Sequence, residues 1–150
     1  MQYHQVYALY YSPIHKAGEC AEAVARSIRP DYYTVDLTQP NVRRQIYSFG
    51  LHDLLILGVP AKDGALPEQT KEIFHNLRGR NNPTVLVLSS DQAPCDDAVE
   101  QMKALCRQRG FCCINAAVLP MESENESEIQ RFAQEVMEQL EAMEVQEEEE

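Results

Sequence analysis

The chain has 150 residues, of which 44% are apolar and 25% are charged, the size and composition of one globular domain with its own core. Its apolar runs are short, the strongest being Leu54–Val59, so no segment is long enough to span a membrane. We expect a cytoplasmic protein, because no basic and apolar leader precedes the first strand-like segment.

The net charge of −11 is concentrated at one end of the chain. Residues 1–121 contain 12 acidic and 12 basic side chains, whereas residues 122–150 contain 12 glutamates and one arginine. A neutral body without a basic stripe argues against nucleic-acid binding. We interpret the acidic segment as a solvated helix face, with docking to a basic partner as the alternative. The domain is expected to span residues 1–144, followed by an acidic tail at 145–150 that frays.

The cysteines indicate neither a disulfide framework nor a metal site. They are Cys20, Cys95, Cys106, Cys112 and Cys113, an odd number without a CxxC pair. Cys95 lies just before a predicted helix, where the helix N-terminus lowers the pKa of a thiol. We interpret Cys95 as a packing residue, with a redox role as the alternative.

Short apolar runs typical of strands buried on both faces alternate with segments of helical periodicity. The predicted strands are Gln5–Ser12, Tyr32–Leu37, Asp53–Val59, Thr84–Leu88 and Phe111–Leu119. One predicted helix follows each strand. The first four span Cys20–Ile28, Pro40 to Gly50, Pro67 to Gly79 and Asp96 to Gly110, and the last runs to Met143 with Ser127 as its N-cap.

This alternation predicts an α/β fold, a doubly wound three-layer sandwich with a five-stranded parallel sheet in the order 2-1-3-4-5. Such sheets bind ligands at the carboxyl ends of the strands, where the strand order reverses. The loops Ser12–Gly18, Pro60–Leu66 and Ser89–Cys95 therefore line any cleft.

Two nucleotide-binding motifs and one signalling class are excluded by these loops. Neither GxGxxG nor GxxxxGK[ST] is present. A phosphoaspartate receiver needs acidic residues at the ends of its first and third strands, where this chain has Tyr11-Ser12-Pro13 and Gly58-Val59-Pro60. No acid–base pair or nucleophile arrangement stands out, so an enzymatic activity is not assigned.

The first loop reads SPIHKA at residues 12–17 and aligns without a gap to the phosphate loop of the flavodoxin-like family, commonly Ser-Gly-Thr-Gly-Asn-Thr. Residues 53–60, followed by Gly64 and Leu66-Pro67, are similar to the third strand and flavin-flanking loop of that family. Over roughly residues 5–120 the chain thus resembles flavodoxin-like proteins, especially the small flavodoxin domains that can be fused to a bacterial ferredoxin module.

The resemblance implies an FMN-dependent electron-transfer protein that works with a redox partner such as a ferredoxin or a reductase. It also implies which residues would contact the cofactor. They are Ser12, Ile14, His15, Lys16, Ala17, Pro60, Ala61, Lys62, Ser90 and Asp91.

Several of these positions depart from the family pattern. Ile14 and Ala17 replace two hydroxyl residues of the phosphate loop, His15 replaces its glycine, and Lys62 stands where an aromatic residue often covers the flavin. Each lost hydrogen bond to a charged group weakens binding by about 1.5–3 kcal/mol, so two losses lower affinity by about 10²–10⁴-fold. Lys16 could recover part of this as a point charge. We therefore expect a weakened FMN site.

Other interpretations of the cleft remain open. The protein could be an interaction or regulatory module that has lost FMN binding, or it could bind a different small ligand. His15 and Lys16 could be exposed residues of a surface loop, and Asp91 would place a negative charge near a reduced flavin. The pairs Tyr10-Tyr11 and Tyr32-Tyr33 are interpreted as packing residues rather than as ligand-stacking rings.

Overall fold

A computed structural model describes residues 5–13, 16–62, 64–90, 95–120 and 126–149, and strands alternate with helices along it. The strands are β1 (Gln5–Tyr10), β2 (Tyr33–Asp36), β3 (Tyr47–Ser48), β4 (Asp53–Ala61), β5 (Leu77–Arg78), β6 (Pro83–Ser90) and β7 (Cys112–Pro120). The helices are α1 (Lys16–Ile28), α2 (Pro40–Arg43), α3 (Gln69–His75), α4 (Asp96–Gln108) and α5 (Glu126–Glu149).

Within the described residues, five strands form one parallel sheet in the order β2-β1-β4-β6-β7. The short strands β3 and β5 pair only with each other. Without them the order is 2-1-3-4-5, so the predicted doubly wound sheet is confirmed. The order reverses between β1 and β4, where Val6 is level with Leu54 and Tyr10 is level with Gly58.

The sheet has an apolar core on each face. Leu55 and Leu57 lie in the core under α3 and α4, which contribute Phe74 and Met102. The intervening residues of β4 lie in the core under α1 and α5. Because β4 and β6 are covered on both faces, their sequences are nearly continuous apolar runs.

The prediction of a helix from Pro40 to Gly50 is wrong beyond its first turn. Helix α2 ends at Arg43, and the following segment forms β3 against β5 because the N–H groups of Tyr47 and Phe49 donate to the carbonyls of Asn76 (3.0 Å) and Arg78 (2.9 Å). The same pairing ends α3 at His75, before Gly79. Long-range backbone pairing here overrides local helical spacing.

The short α2 leaves part of the sheet uncovered at β2. Tyr33 is 53% exposed, and its ring stacks on Tyr7 with centroids 5.4 Å apart. The packing interpretation therefore holds only in part for Tyr33, whose ring contacts Tyr7 but stays half-exposed. It holds for Tyr11, which is buried, and for Tyr10 and Tyr32, which pack against the α1–α5 core.

Helix α5 begins one residue before Ser127, so Ser127 is not its N-cap. Among the helix residues whose side chains are described, which end at Met143, Leu140 is the last buried one, and the backbone stays helical to Glu149, where the sequence favours fraying. Glutamate is a good helix former, which favours this continuation. No helix in the described part of the chain combines the length and hydrophobicity that crossing a bilayer requires.

We predict that Leu55→Ala or Leu57→Ala lowers the free energy of unfolding by about 2–5 kcal/mol, because each side chain is almost fully buried in the central strand. Denaturant titration measures the change. Leu51→Ala, at a side chain that is 44% exposed, is the control and should have little effect. Equal midpoints for all three variants would contradict the central placement of β4.

Truncation after Glu144 should leave the thermal midpoint of the domain nearly unchanged. The removed residues lie at the end of the chain and include four consecutive glutamates, a sequence with no apolar face to pack on the body. The measurement is thermal unfolding at high ionic strength, where repulsion among these carboxylates is screened. A large drop in the midpoint would mean that the tail stabilises the body.

Candidate functional site

The strand order reverses between β1 and β4, and five of the ten residues predicted to contact the cofactor lie at the carboxyl ends of these strands and of β6. Pro60 and Ala61 end β4, level with Ser89 and Ser90 at the end of β6. Ser12 follows β1. Three predicted positions, Ile14, His15 and Asp91, lie outside the described residues. For Lys16 the structure describes the backbone, which begins α1.

The first loop is closed by Ser12, the predicted phosphate-loop hydroxyl. The N–H of Gly18 donates to Ser12 Oγ over 3.1 Å, and the N–H of Ser12 donates to Thr38 Oγ1 over 2.7 Å. The N–H of Tyr11 donates to the carbonyl of Gly58 over 2.9 Å. These bonds fix the start of α1 beside the reversal point of the sheet.

Gly58 allows α1 to approach β4 closely. A Cβ atom at this position would stand 2.7 Å from the carbonyl oxygen of Ala17 and 2.9 Å from the Cβ of Ala21. Ala17 is almost fully buried in this contact. At position 17 the buried side chain in this contact is therefore the methyl group of alanine, whereas the family pattern has a hydroxyl residue.

A cavity of about 320 Å³ lies on the β2 side of the first loop. Its wall carries the carboxylates of Glu19, Glu22 and Asp36, together with Tyr10 and Ser12. Burial, together with the carboxylates of Glu22 and Asp36, raises the pKa of the Tyr10 phenol above its ordinary value. Three carboxylates repel an anion, and in the described residues they are not arranged to hold a metal.

Sequence reasoning missed this acidic cavity, although a signal for it exists. Glu19 and Glu22 are three residues apart on α1, and Asp36 ends β2. The predicted strand order already places β2 beside β1, so the three carboxylates could have been brought to one side of the first loop.

The second loop turns directly after β4. Lys62 and Ala65 exchange backbone hydrogen bonds of 2.9 and 3.0 Å, and Gly64 adopts a φ of +78° that favours glycine. Lys62, at the position of the family's flavin-covering aromatic residue, is exposed. This loop therefore presents a cation and no ring at the described end of β4.

Two serines end β6 with different surroundings. Ser90 Oγ lies 3.0 Å from the Sγ of Cys95, which is buried at the start of α4, and this agrees with the packing interpretation of that cysteine. Ser89 is fully buried, and its Oγ has no hydrogen-bond partner among the described residues. Strand alternation places Ser89 on the α1 face with Val85 and Val87. A buried hydroxyl group without a hydrogen-bond partner is unusual, so Ser89 distinguishes the carboxyl end of β6.

Solved structures with the same architecture include flavodoxins and proteins described as flavoproteins. A Bacteroides uniformis protein assigned as a flavoprotein superposes with a TM-score of 0.67 at 11% identity, covering 89% of this chain and 99% of that one. A Streptococcus pneumoniae TIGR4 flavodoxin gives 0.60 at 18% identity, covering 89% and 97%. A flavodoxin from the domain Archaea gives 0.59 at 10% identity, covering 91% and 99%.

No protein-family model matches the chain, and no curated protein is significantly similar to it in sequence. At these identities the structural likeness shows the fold alone. The chain has the flavodoxin-like fold, as the resemblance of its sequence predicted.

Gly58→Ala should destabilise the protein by about 1–3 kcal/mol, because the added methyl group forces α1 away from β4. Gly50→Ala is a matched control, since a Cβ there meets only a carboxylate oxygen of Asp53 at 3.6 Å. Chemical denaturation of both variants measures the difference. Equal stability would show that α1 can shift without loss, and that the first loop is not fixed by this contact.

Proposed function

We propose that this protein binds flavin mononucleotide at the carboxyl ends of β1, β4 and β6 and serves in electron transfer, with weak contacts to the phosphate. One observation carries the proposal: the start of the 13-residue helix α1 is held at the reversal point by Ser12 and Gly58. A helix N-terminus at this place presents backbone N–H groups and positive potential to an anion.

The described residues fit the cofactor in part. Ser12 keeps its hydroxyl oxygen, although α1 already uses it through Gly18. Ala17 offers a buried methyl group, and Glu19 places a negative charge in the first turn of α1. That charge partly cancels the helix dipole that would attract the phosphate. The backbone frame therefore supports binding, while these side chains weaken it.

The bound flavin would supply one- and two-electron redox chemistry, and the chain would supply orientation and electrostatics. Ala61 and Lys62 would flank the ring from the second loop, and Ser90 from the third. A positive charge at Lys62 favours the anionic reduced flavin. A protein redox partner, such as a ferredoxin or a reductase, is part of this proposal.

A second candidate is an interaction or regulatory module that has lost FMN binding. Two neighbouring features favour it: the hydroxyl missing at Ala17 and the acidic cavity beside the same loop. Together they remove a donor and add repulsion at the place where a phosphate would bind.

The triple change Ile14→Thr, His15→Gly, Ala17→Thr should tighten FMN binding by at least about tenfold, because it restores two hydroxyl groups and a glycine to the phosphate loop. Quenching of flavin fluorescence on titration measures the affinity. Riboflavin, which lacks the phosphate, should gain little.

The matched control is Ile14→Val, His15→Gly, Ala17→Val, which has the same shape without the hydroxyl groups. Thermal unfolding of both variants checks that the buried position 17 accepts the larger side chain. Tight FMN binding by the unchanged chain would show that backbone contacts suffice and that the site is not weakened. Absence of binding in every variant would favour the module without FMN.

A further inference from the structure

A groove of about 480 Å³ runs between α3 and α4, on the sheet face opposite α5. Phe74 and Leu105 contribute its apolar surface, Lys71, His75 and Arg109 contribute basic groups, and its lining includes no carboxylate. The guanidinium of Arg109 donates to the carbonyls of Leu77 (3.2 Å) and His75 (2.9 Å). These acceptors are neutral, so they hold the guanidinium at the groove without cancelling its charge.

The groove lies in a basic region of the molecule. The charges of residues 1–121 sum to zero, but they are unevenly distributed. Residues 73–90 and 101–121 contain no Asp or Glu and five Lys or Arg. The two segments meet where the N–H of Gly79 donates to the carbonyl of Arg109 and that of Asn81 to the carbonyl of Gly110.

Three acidic residues of the neighbouring elements each have a partner. Glu100 pairs with Lys103 over 3.6 Å, Glu72 lies 3.5 Å from Arg43, and Asp53 accepts a hydrogen bond from the N–H of Gly50. The residues that line the groove therefore carry a net positive charge, which suits an acidic ligand.

The same chain carries an acidic helix that complements the groove. After Leu140, α5 continues for nine residues, about 13 Å at the usual helical rise. The sequence places glutamates at positions 141, 144, 147 and 148, the spacing of one helix side. The last turn of α5 contains no basic residue, so the helix dipole opposes these charges and external cations would stabilise them.

We propose that residues 141–149 of α5 dock into the α3–α4 groove of a second copy, and that reciprocal exchange of these ends forms a two-fold dimer. Within one copy α5 packs with α1 on the other side of the sheet, so a second copy is the natural source of the acidic helix. In a two-fold dimer the same contact forms twice. The dimer is therefore more stable than one such weak electrostatic contact would make it.

Sedimentation velocity of the full chain at low ionic strength should show a dimer that dissociates as the salt concentration rises. Truncation after Glu144 should weaken association by at least about tenfold. Lys71→Glu with Gln108→Glu, both exposed in the groove, should do the same without a change in thermal stability at high salt.

The matched control is Arg26→Glu with Gln130→Glu, which makes the same charge change at exposed positions on α1 and α5. It should sediment like the unchanged chain. A full chain that stays monomeric, or a dimer that survives both the truncation and the groove variant, would overturn the proposal. Binding of a DNA duplex by the truncated chain, abolished in the groove variant, would also overturn it and assign the groove to nucleic acid.

Discussion

Helix α1 lies against strand β4 at Gly58, where an added methyl group would stand 2.7 Å from a backbone carbonyl oxygen. This contact fixes the height of α1 over the sheet and hence the position of its N-terminus. Ser12 then closes the first loop onto Gly18, and the acidic cavity forms between that loop and β2. In a parallel sheet that is covered on both faces, the N-terminus of such a helix is exposed to solvent at the carboxyl ends of the strands.

The sequence predicts the main elements because burial on both faces leaves a clear pattern. Residues 54–57 and 85–88 are continuous apolar segments, which are typical of strands that are covered on both faces. The sequence fails between Pro40 and Gly50, where Val42 and Ile46 have helical spacing. That segment pairs with β5, about 30 residues away, through backbone groups that carry no side-chain signal.

The sequence predicts which strand ends meet at the candidate site, but not what surrounds them. Strand order alone brings the ends of β1, β4 and β6 to one edge, so Ser12, Pro60 and Ser90 were predicted together. The burial of Ser89 without a partner depends on how α1 and the loops cover β6, and no spacing rule encodes this. Likewise, the acidic cavity needs residues of α1 and β2 to meet across a loop whose conformation the residue types do not specify.

The charge distribution follows from the direction of the helices. In a doubly wound fold the helices run antiparallel to the strands, so their N-termini gather at the carboxyl ends of the strands and their C-termini at the opposite edge. Glu19 and Asp96 occupy first turns, whereas Arg26 and Arg107 occupy last turns, each with a favourable dipole interaction. In α1 and α4 this arrangement places acidic groups toward one edge of the sheet and basic groups toward the other, although the body is neutral. An anion at the candidate site must therefore compete with first-turn carboxylates, while α5, which ends in glutamates, is the one described long helix that violates the pattern. Its last turn contains no basic residue, and in the proposed dimer the α3–α4 groove of a second copy supplies the cations.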